Sequence, residues 1–443
     1  MKKTQVAIVG AGWAGCSAAV ELARRGARVT LFEASRTAGG RARRVEHVGR
    51  TLDNGQHILL GAYRDTLHMM RQVGIDPARA MLRLPLQMRY PPGTGGMDFI
   101  APRLPAPFHL LVAVLRAKGL SSADKLSLAR FSTAARWMDW QLDIDCSVDA
   151  LLDQFDQTER LAQLMWRPLC IAALNTPPER ASARVFLRVL GDSLGATRNA
   201  SDMLLPKEDL STLFPDAAIA YLEKHHGHYQ PGARVRSLQA MNRQWTLEIE
   251  GNDLPSASFE RIIIASPAPV AQSLLAPHDS ALAASLQFEH EPITTCYLQY
   301  DAGIRLAQPF YALADQPADN QWGQFVFDRG WLDEAQAGTM AVVISASSEA
   351  MQLSHQSLIN AVANQLAAVF RDPALASPVW TQIITEKRAT FACTPDLQRP
   401  TNQTSLPNVW LAGDYTAGPY PATIESAVRS GLAAAQLVLA SMH

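Results

Sequence analysis

The sequence predicts an α/β protein in which a Rossmann-type dinucleotide-binding domain carries a discontinuous α+β substrate domain. Two observations support this fold class. The chain begins with a strand, a glycine turn, a helix and a second strand, and it ends with a strand, a glycine turn and a helix rich in small residues. Because 443 residues are too many for one simple core, we expect two domains.

The N-terminal motif has the order that a dinucleotide requires. Residues 6–9 form a short apolar run typical of a buried strand, residues 14–25 have a helical pattern, and residues 28–33 form the second strand. Three glycines make the G-x-G-x-x-G turn between the first strand and the helix: Gly10, Gly12 and Gly15. The first permits a tight turn, the second lets the backbone approach a pyrophosphate, and the third lets the helix pack on the strand.

Residues around this turn are the first candidates for cofactor binding. The free N–H groups at the start of the helix, at Trp13 and Ala14, would face the phosphates, and Glu33, followed by Ala34, is spaced to hold a ribose hydroxyl. A second glycine pair with an arginine follows at Gly39, Gly40 and Arg41. Nicotinamide-dependent dehydrogenases need no such pair, and the sequence has no second fingerprint, so we expect no bound nicotinamide cofactor.

Composition narrows the class of protein. The formal net charge is −1, so no overall field favours nucleic acid. The five cysteines show no C-x-x-C spacing, which argues against a disulfide framework or a zinc site, and we expect no metal. Residues 1–3 lead directly into the first strand and no apolar run reaches the roughly 20 residues that span a bilayer. We therefore expect a cytoplasmic protein, at most peripheral on the inner face of the membrane.

The C-terminal segment is the second strong motif. Residues 409–412 predict a strand that ends at Gly413 and Asp414, and Thr423 and Ile424 begin the last helix. The N–H groups at the start of this helix point at whatever lies before it. Small residues within the helix let it approach a sheet or a cofactor closely: Ala427, Ser430, Gly431 and Ala434.

Together these motifs resemble the superfamily of FAD-dependent amine oxidases and phytoene desaturases, which has a glutathione-reductase-like FAD domain. The resemblance implies that the Gly39–Arg41 segment lines the pyrophosphate and flavin side of FAD, and that Val235 meets the adenine through its backbone. It also implies that Asp414 accepts hydrogen bonds from ribityl hydroxyls and that the last helix begins at the flavin ring. A polar segment would run beside that ring: Asn54, Gly55, Gln56 and His57. Because no cysteine lies within residues 412–425, the FAD would be non-covalent.

Three longer blocks resemble the hydroxysqualene dehydroxylase family within this superfamily: NGQHILLGAY at 54–63, RPLCIAALNTP at 167–177 and AGDYTAGPYPATIESAVRSG at 412–431. That resemblance implies reduction of hydroxysqualene to squalene in bacterial squalene and hopanoid synthesis, with an apolar isoprenoid substrate and an external reductant for the flavin. His57 would lie near the leaving oxygen, although a satisfied core histidine explains it equally well. An aromatic such as Trp166 could stabilise the cation.

The middle of the chain is less informative. We predict an FAD-binding domain of residues 1–75, 206–280 and 396–443, and a substrate-binding domain of residues 76–205 and 281–395. Residues 104–118 predict an apolar helix, for which burial in the substrate domain is favoured over insertion into a membrane leaflet. The pattern of residues 166–169 predicts a sharp break in a helix.

Two other classes of function stay open. A carotenoid-type polyene desaturase or a flavin amine oxidase would use the same fold but oxidise its substrate. A non-catalytic isoprenoid-binding protein would show degraded flavin motifs, whereas both chain ends are intact here.

Overall fold

The computed structural model of the protein describes residues 4–241, 244–250 and 258–442, so residues 1–3, on which the expectation of no leader rested, lie outside it. The strands are β1 (Gln5–Val9), β2 (Arg28–Glu33), β3 (Arg44–His47), β4 (Arg50–Asp53), β5 (Leu59–Leu60), β6 (Met81–Leu84), β7 (Gln87–Arg89), β8 (Asp98–Ile100), β9 (Met203–Pro206), β10 (His228–Pro231), β11 (Val235–Met241), β12 (Gln244–Ile249), β13 (Ser258–Phe259), β14 (Arg261–Ile264), β15 (His290–Gln299), β16 (Phe310–Ala312), β17 (Phe325–Asp328), β18 (Thr339–Ser345), β19 (Trp380–Phe391) and β20 (Val409–Leu411).

The α-helices are α1 (Trp13–Arg24), α2 (Arg64–Gln72), α3 (Pro77–Ala80), α4 (Phe108–Arg116), α5 (Ser122–Trp137), α6 (Val148–Gln154), α7 (Glu159–Leu161), α8 (Arg167–Leu174), α9 (Ala183–Leu190), α10 (Arg198–Ser201), α11 (Leu210–Leu213), α12 (Pro215–Lys224), α13 (Ala268–Leu275), α14 (Ser280–Ala284), α15 (His355–Phe370) and α16 (Ile424–Ala440). Two π-helical turns, Ala162–Trp166 and Gly191–Gly195, continue α7 and α9.

A parallel sheet joins the two ends of the chain. Its order is β10-β2-β1-β14-β20, and every neighbouring pair in it is parallel. All carboxyl ends therefore meet at one edge, which is where open α/β sheets bind ligands. The predicted α/β fold class is confirmed, with the first strands and β20 in the same sheet.

Two glycines allow the helices of the two chain ends to pack against this sheet and each other. A Cβ on Gly15 would lie 1.9 Å from the carbonyl oxygen of Gly10, and a Cβ on Gly431 would lie 2.1 Å from that of Ala14. Both distances are far inside van der Waals contact, so only glycine permits α1 to lie on β1 and α16 to lie on α1.

A second, antiparallel sheet lies in the middle of the chain, in the order β16-β17-β18-β15-β19. Alternate side chains separate its faces, as the pleat of a strand requires. On one face Val326 and Val342 join the core beneath α15, and on the other Phe325, Phe327 and Val343 line a cavity described below.

The strands of both large sheets fall inside the predicted ranges of their domains. A small sheet, β5-β9-β6, crosses those ranges, since β5 belongs to the predicted FAD domain and β6 to the predicted substrate domain. The domain boundaries themselves stay a prediction.

The expectation of a buried helix at residues 104–118 is wrong. Only His109 and Ala113 are buried on α4, whereas Phe108, Leu111 and Leu115 are between 52% and 63% exposed. The helix contacts the core along one side only, so its opposite apolar side faces outward. Among the described residues, none of the helices combines the length and the apolar character needed to traverse a bilayer.

The expected break at residues 166–169 is also wrong, because the chain passes from the first π-helical turn directly into α8. The N–H of Arg167 bonds the carbonyl of Ala162, five residues back, and Pro168 then lies in the first turn of α8, where its missing N–H costs nothing. Trp166 is fully buried, with its ring 4.7 Å from that of Phe131 and its Nε1 donating to Gln157 at 2.9 Å. It packs in the core and does not line the cavity, so our suggestion that it stabilises a substrate cation is wrong.

Candidate active site

A cleft of about 660 Å³ opens at the carboxyl edge of the parallel sheet. Both ends of the chain line it, and so does the segment that follows β14. Most of the residues proposed from sequence for cofactor binding meet there: Gly10, Gly12, Trp13, Ala14, Glu33, Ala34, Gly39, Gly40, Arg41, His57, Val235, Gly413, Asp414, Thr423 and Ile424.

The polar groups of the cleft suit a dinucleotide. No side chain caps the first N–H groups of α1, since its N-cap is Gly12. Glu33 accepts from the N–H groups of Ala11 at 2.7 Å and Ser35 at 2.8 Å, which holds its carboxylate at the end of β2. These are the free donors and the fixed acid that a pyrophosphate and a ribose require.

Arg41 joins the two chain ends across the cleft. Its Nη2 lies 2.5 Å from Oδ1 of Asp414, and its Nη1 donates to the carbonyl of Ala389 at 2.8 Å. Burial opposes the charge of this guanidinium, but the adjacent Asp414 more than offsets that effect, and the pKa of Arg41 is raised. The cation is therefore permanent beside the cleft.

Two buried hydroxyl groups in the cleft provide a test of whether a polar cofactor fits. Ser266 and Tyr415 line it, and neither hydroxyl has a hydrogen-bond partner among the residues that the structure describes. Buried polar groups are rarely left unpaired in proteins, so an oxygen- and nitrogen-rich ligand here would satisfy them. The cleft fits FAD on volume, donors and unpaired groups.

A second cavity, of about 320 Å³, lies between the antiparallel sheet and the helices of residues 162–195. Its walls are mostly aliphatic, aromatic and thioether side chains, such as Met88, Phe99, Met165, Phe310 and Phe327. The few polar groups in such a wall determine how a ligand is oriented. A largely hydrocarbon ligand matches this lining.

The cleft and the apolar cavity meet at a set of residues that line both: Arg41, His57, Glu386, Ala389, Ala422, Thr423 and Ile424. Thr423 is the N-cap of α16, and its side chain accepts from the N–H of Ser426 in a capping box. The positive end of a 17-residue helix therefore points at this junction. A cofactor in the cleft and a ligand in the cavity would touch here.

His57 is the imidazole at this junction. Its Nδ1 lies 2.9 Å from the carbonyl of Gly55, and because a carbonyl only accepts, we assign the hydrogen to Nδ1. Burial is the largest cause of a lowered pKa at His57; the Gly55 carbonyl opposes it, and the charge of Arg41 adds to it. Nε2 is then free to face a ligand.

Three of the predicted residues, Asn54, Gly55 and Gln56, line the apolar cavity and not the cleft. Gly15 lies behind the turn, where it lets α1 pack on β1, as its place in the motif predicts. Gln56 is held firmly, since its Nε2 donates to the Tyr297 hydroxyl at 2.8 Å and its Oε1 accepts from Arg329 at 3.0 Å.

Asn175, in the block at 167–177, ties α8 to the antiparallel sheet. It ends the helix with a left-handed φ of 48°. Its Nδ2 donates to the Glu291 carbonyl at 3.2 Å and the Thr390 hydroxyl at 3.0 Å, and its Oδ1 accepts from the N–H of Ala346 at 2.8 Å. This side chain therefore fixes one wall of the apolar cavity.

Sequence reasoning missed several residues of the site. Ser266 carried a usable signal, because it follows β14 at the carboxyl edge of the sheet. The pair of Tyr420 and Asp192, whose side chains hydrogen-bond at the cavity wall, carried none, and neither did Glu386 on β19. Their partners are far apart in the chain, and only folding brings them together.

Comparison with known proteins finds flavin-dependent relatives. The profile of flavin containing amine oxidoreductases matches residues 13–439. The hydroxysqualene dehydroxylase of Rhodopseudomonas palustris is 30% identical, with 100% of this chain and 99% of that protein covered. The enzyme of the same name from Zymomonas mobilis is 28% identical over 98% of each. A zeta-carotene desaturase of Synechocystis is 24% identical over 99% of this chain and 97% of that one.

Solved structures share the fold at low sequence identity. An oxidoreductase from Methanosarcina mazei superposes with a TM-score of 0.74 at 14% identity, over 98% of this chain and 100% of that one. Cyclohexylamine oxidase from Brevibacterium oxydans superposes with a TM-score of 0.71 at 16% identity, over 99% of each chain. The family match and the fitting cleft make FAD the cofactor of this protein.

Proposed function

Because the chain belongs to the flavin containing amine oxidoreductase family, we propose that it reduces hydroxysqualene to squalene with FAD as the hydride carrier. Hydroxysqualene dehydroxylases similar to this chain over their whole length support the substrate. The observation that carries the proposal is the apolar cavity that meets the cofactor cleft at the residues they share. A long hydrocarbon fits such a lining, and its reacting carbon would face the cofactor there.

The reaction exchanges a C–O bond for a C–H bond. The hydroxyl group leaves as water after gaining one proton, and carbon gains a hydride. Reduced FAD supplies that hydride when bound. Since each turnover consumes two electrons, an external reductant must restore the cofactor.

The chain's own residues exclude water and deliver the proton. Phe310, Phe325 and Phe327 keep the cavity dry, which favours a delocalised allylic cation over capture by solvent. We assign delivery of this proton to Nε2 of the doubly protonated His57, because His57 is the imidazole at the junction. Because its pKa is lowered, the charged form of His57 is a stronger acid than free histidine. For the same reason, fewer of the His57 side chains are charged at neutral pH.

Tyr420 and Asp192, which also line the apolar cavity, would orient the substrate. The Tyr420 hydroxyl donates to Asp192, which also accepts from Nε of Arg188 at 3.1 Å. Burial and the neighbouring Asp192 raise the pKa of Tyr420 to about 12, so its hydroxyl keeps its proton. The negative charge of Asp192 near the cavity would also favour a cationic transition state.

The test is a single turnover without oxygen. The FAD-loaded protein is reduced, mixed with hydroxysqualene, and followed by flavin absorbance and by product analysis. We expect squalene and oxidised flavin to form in equal amounts. Reduced protein that leaves hydroxysqualene intact would contradict the proposal.

The same experiment separates the desaturase alternative, which the similarity to zeta-carotene desaturase keeps in view. A desaturase would use oxidised FAD to remove hydride from a polyene, so the flavin would become reduced. Oxidised protein incubated with a phytoene-like polyene should therefore show no bleaching of the flavin if dehydroxylation is the function.

We also propose that α4 rests on a lipid surface, which would give an apolar substrate a route from the bilayer. Phe108, Leu111 and Leu115 are spaced three and four residues apart, so they form one exposed apolar stripe.

Replacing all three residues of this stripe by Ser should reduce co-sedimentation of the protein with phosphatidylcholine vesicles. The matched control replaces three apolar residues that are exposed elsewhere on the protein by Ser: Ile144, Met241 and Val379. This control variant should sediment as the unmodified protein does. Equal sedimentation of both variants would contradict contact through α4.

A further inference from the structure

A third cavity, of about 710 Å³, is separate from the two that form the candidate active site. It contains one carboxylate, Asp202, and five arginines: Arg64, Arg71, Arg83, Arg103 and Arg198. The side chains carry a net charge of +4 if each arginine counts +1 and the aspartate −1. None of the family motifs described above explains this concentration of charge.

Local geometry brings the arginines together. Arg64 and Arg71 are seven residues apart on α2, so they extend from the same face with Leu67 between them. A Cβ on Gly61 would lie 1.7 Å from the Asn199 carbonyl, which shows how closely the segment that carries Arg198 approaches the residue after β5.

Asp202 orients two of the guanidinium groups. Its side chain is 2% exposed; Oδ2 accepts from Arg83 at 2.8 Å, and Oδ1 accepts from Arg198 at 3.3 Å. Each guanidinium has further N–H donors that this single carboxylate cannot satisfy. Within residues 4–241, 244–250 and 258–442, Arg64, Arg71 and Arg103 have no carboxylate within 4.0 Å. Three cations therefore face the cavity without a counter-charge.

The wall of this cavity is also a wall of the apolar cavity. Along the β5-β9-β6 sheet and its flanking residues, Gly61, Leu84 and Asp202 face the arginines, whereas Leu60, Leu86 and Met203 face the apolar cavity. A ligand among the arginines would lie across one layer of backbone from the substrate.

We propose that this arginine cavity binds a phosphate or diphosphate group. Guanidinium groups form paired hydrogen bonds with phosphate oxygens, and a multiply charged tetrahedral anion can satisfy several of them at once, which a single carboxylate cannot. The group belongs either to a soluble phosphate compound or to the headgroup of an anionic phospholipid.

The test compares two double variants of the FAD-loaded protein, in which the cofactor already fills the nucleotide cleft. Arg71→Gln with Arg103→Gln removes two of the uncompensated cations. Arg28→Gln with Arg79→Gln removes two exposed arginines outside the cavity and is the matched control for charge. Inorganic pyrophosphate is titrated by calorimetry in one arm. In the other arm, co-sedimentation of the protein with phosphatidylglycerol vesicles is compared with its co-sedimentation with phosphatidylcholine vesicles.

We expect the cavity variant to lose about tenfold in affinity for the anion, and the control variant to bind as the unmodified protein does. Saturable pyrophosphate binding that the cavity variant loses identifies a soluble ligand. A preference for phosphatidylglycerol that the cavity variant loses identifies a lipid headgroup. The proposal is overturned if neither probe binds the unmodified protein, or if the two double variants behave alike in both arms.

Discussion

The cofactor cleft and the apolar cavity share a junction but are built in different ways. Turns at the two chain ends line much of the cleft, and they contribute five glycines, which have no side chain to fill it: Gly10, Gly12, Gly39, Gly40 and Gly413. The cavity is lined by large side chains contributed by many separate segments of the chain. Cofactor binding should therefore depend on a few positions that tolerate no added atom, and substrate turnover on the volume and polarity of the wall.

The largest effect should come from adding atoms behind the cleft. Gly15→Ala places a Cβ 1.9 Å from the Gly10 carbonyl, so α1 must move away from β1. We expect the protein to purify without FAD and the free energy of unfolding to fall by about 3 kcal/mol. Flavin absorbance and chemical denaturation measure both. Gly303→Ala is the control, because nothing lies within 4 Å of the added Cβ; equal behaviour of the two variants would refute this account of the cleft.

Removing the imidazole at the junction should impair substrate turnover but not cofactor binding. We expect His57→Phe to retain FAD but to turn over hydroxysqualene about a hundredfold more slowly, since a positioned proton donor is lost. His68→Phe makes the same change on the exposed side of α2 and should leave turnover unchanged. Full turnover by the His57 variant would remove this residue from the mechanism.

The pH dependence of kcat/KM tests the role of His57 as the proton donor. Because the pKa of His57 is lowered, the acid form grows as pH falls below the ordinary histidine range. The kcat/KM of the unmodified protein should therefore rise as pH falls and level off below the lowered pKa. His57→Phe should lose this slope, and a slope that persists in the variant would assign the proton to another group.

Filling the apolar cavity should damage turnover alone. Ala173 lies on its wall, and we expect Ala173→Phe to reduce kcat/KM by about tenfold while FAD content stays unchanged, since the substrate is displaced from its reacting position. Ala78→Phe on the exposed surface of α3 is the control. Loss of FAD from the cavity variant would show that the two sites are not separable.

The smallest effect should come from Asn175, which fixes one wall of the apolar cavity. Asn175→Ala loses three hydrogen bonds and places alanine in a left-handed conformation, whereas Asn175→Gly loses only the hydrogen bonds. We expect the alanine variant to be less stable than the glycine variant by about 1 kcal/mol, measured by chemical denaturation. Equal stability would mean that the backbone conformation contributes nothing.

The two regions were also unequally predictable. Strand, turn, helix and strand follow one another between Gln5 and Glu33, so local patterns predicted their fold correctly, and the structure brings most of the proposed cofactor residues into one cleft. The lining of the cavity could not be predicted, because Met165, Phe327 and Tyr420 meet only after folding. Trp166 illustrates the limit, since its aromatic character did not reveal that it would pack against Phe131 in the core.

Short-range order in the amino acids was enough to specify the nucleotide-binding turn, the strand and helix at each end of the chain and the need for glycine at close contacts. Those features depend on backbone geometry over a few consecutive residues. The exposed stripe on α4, the arginine cavity and the lining of the apolar cavity were decided by folding alone. Each depends on which side chains approach from distant segments, and the periodicity of a single segment contains no information about its neighbours in space.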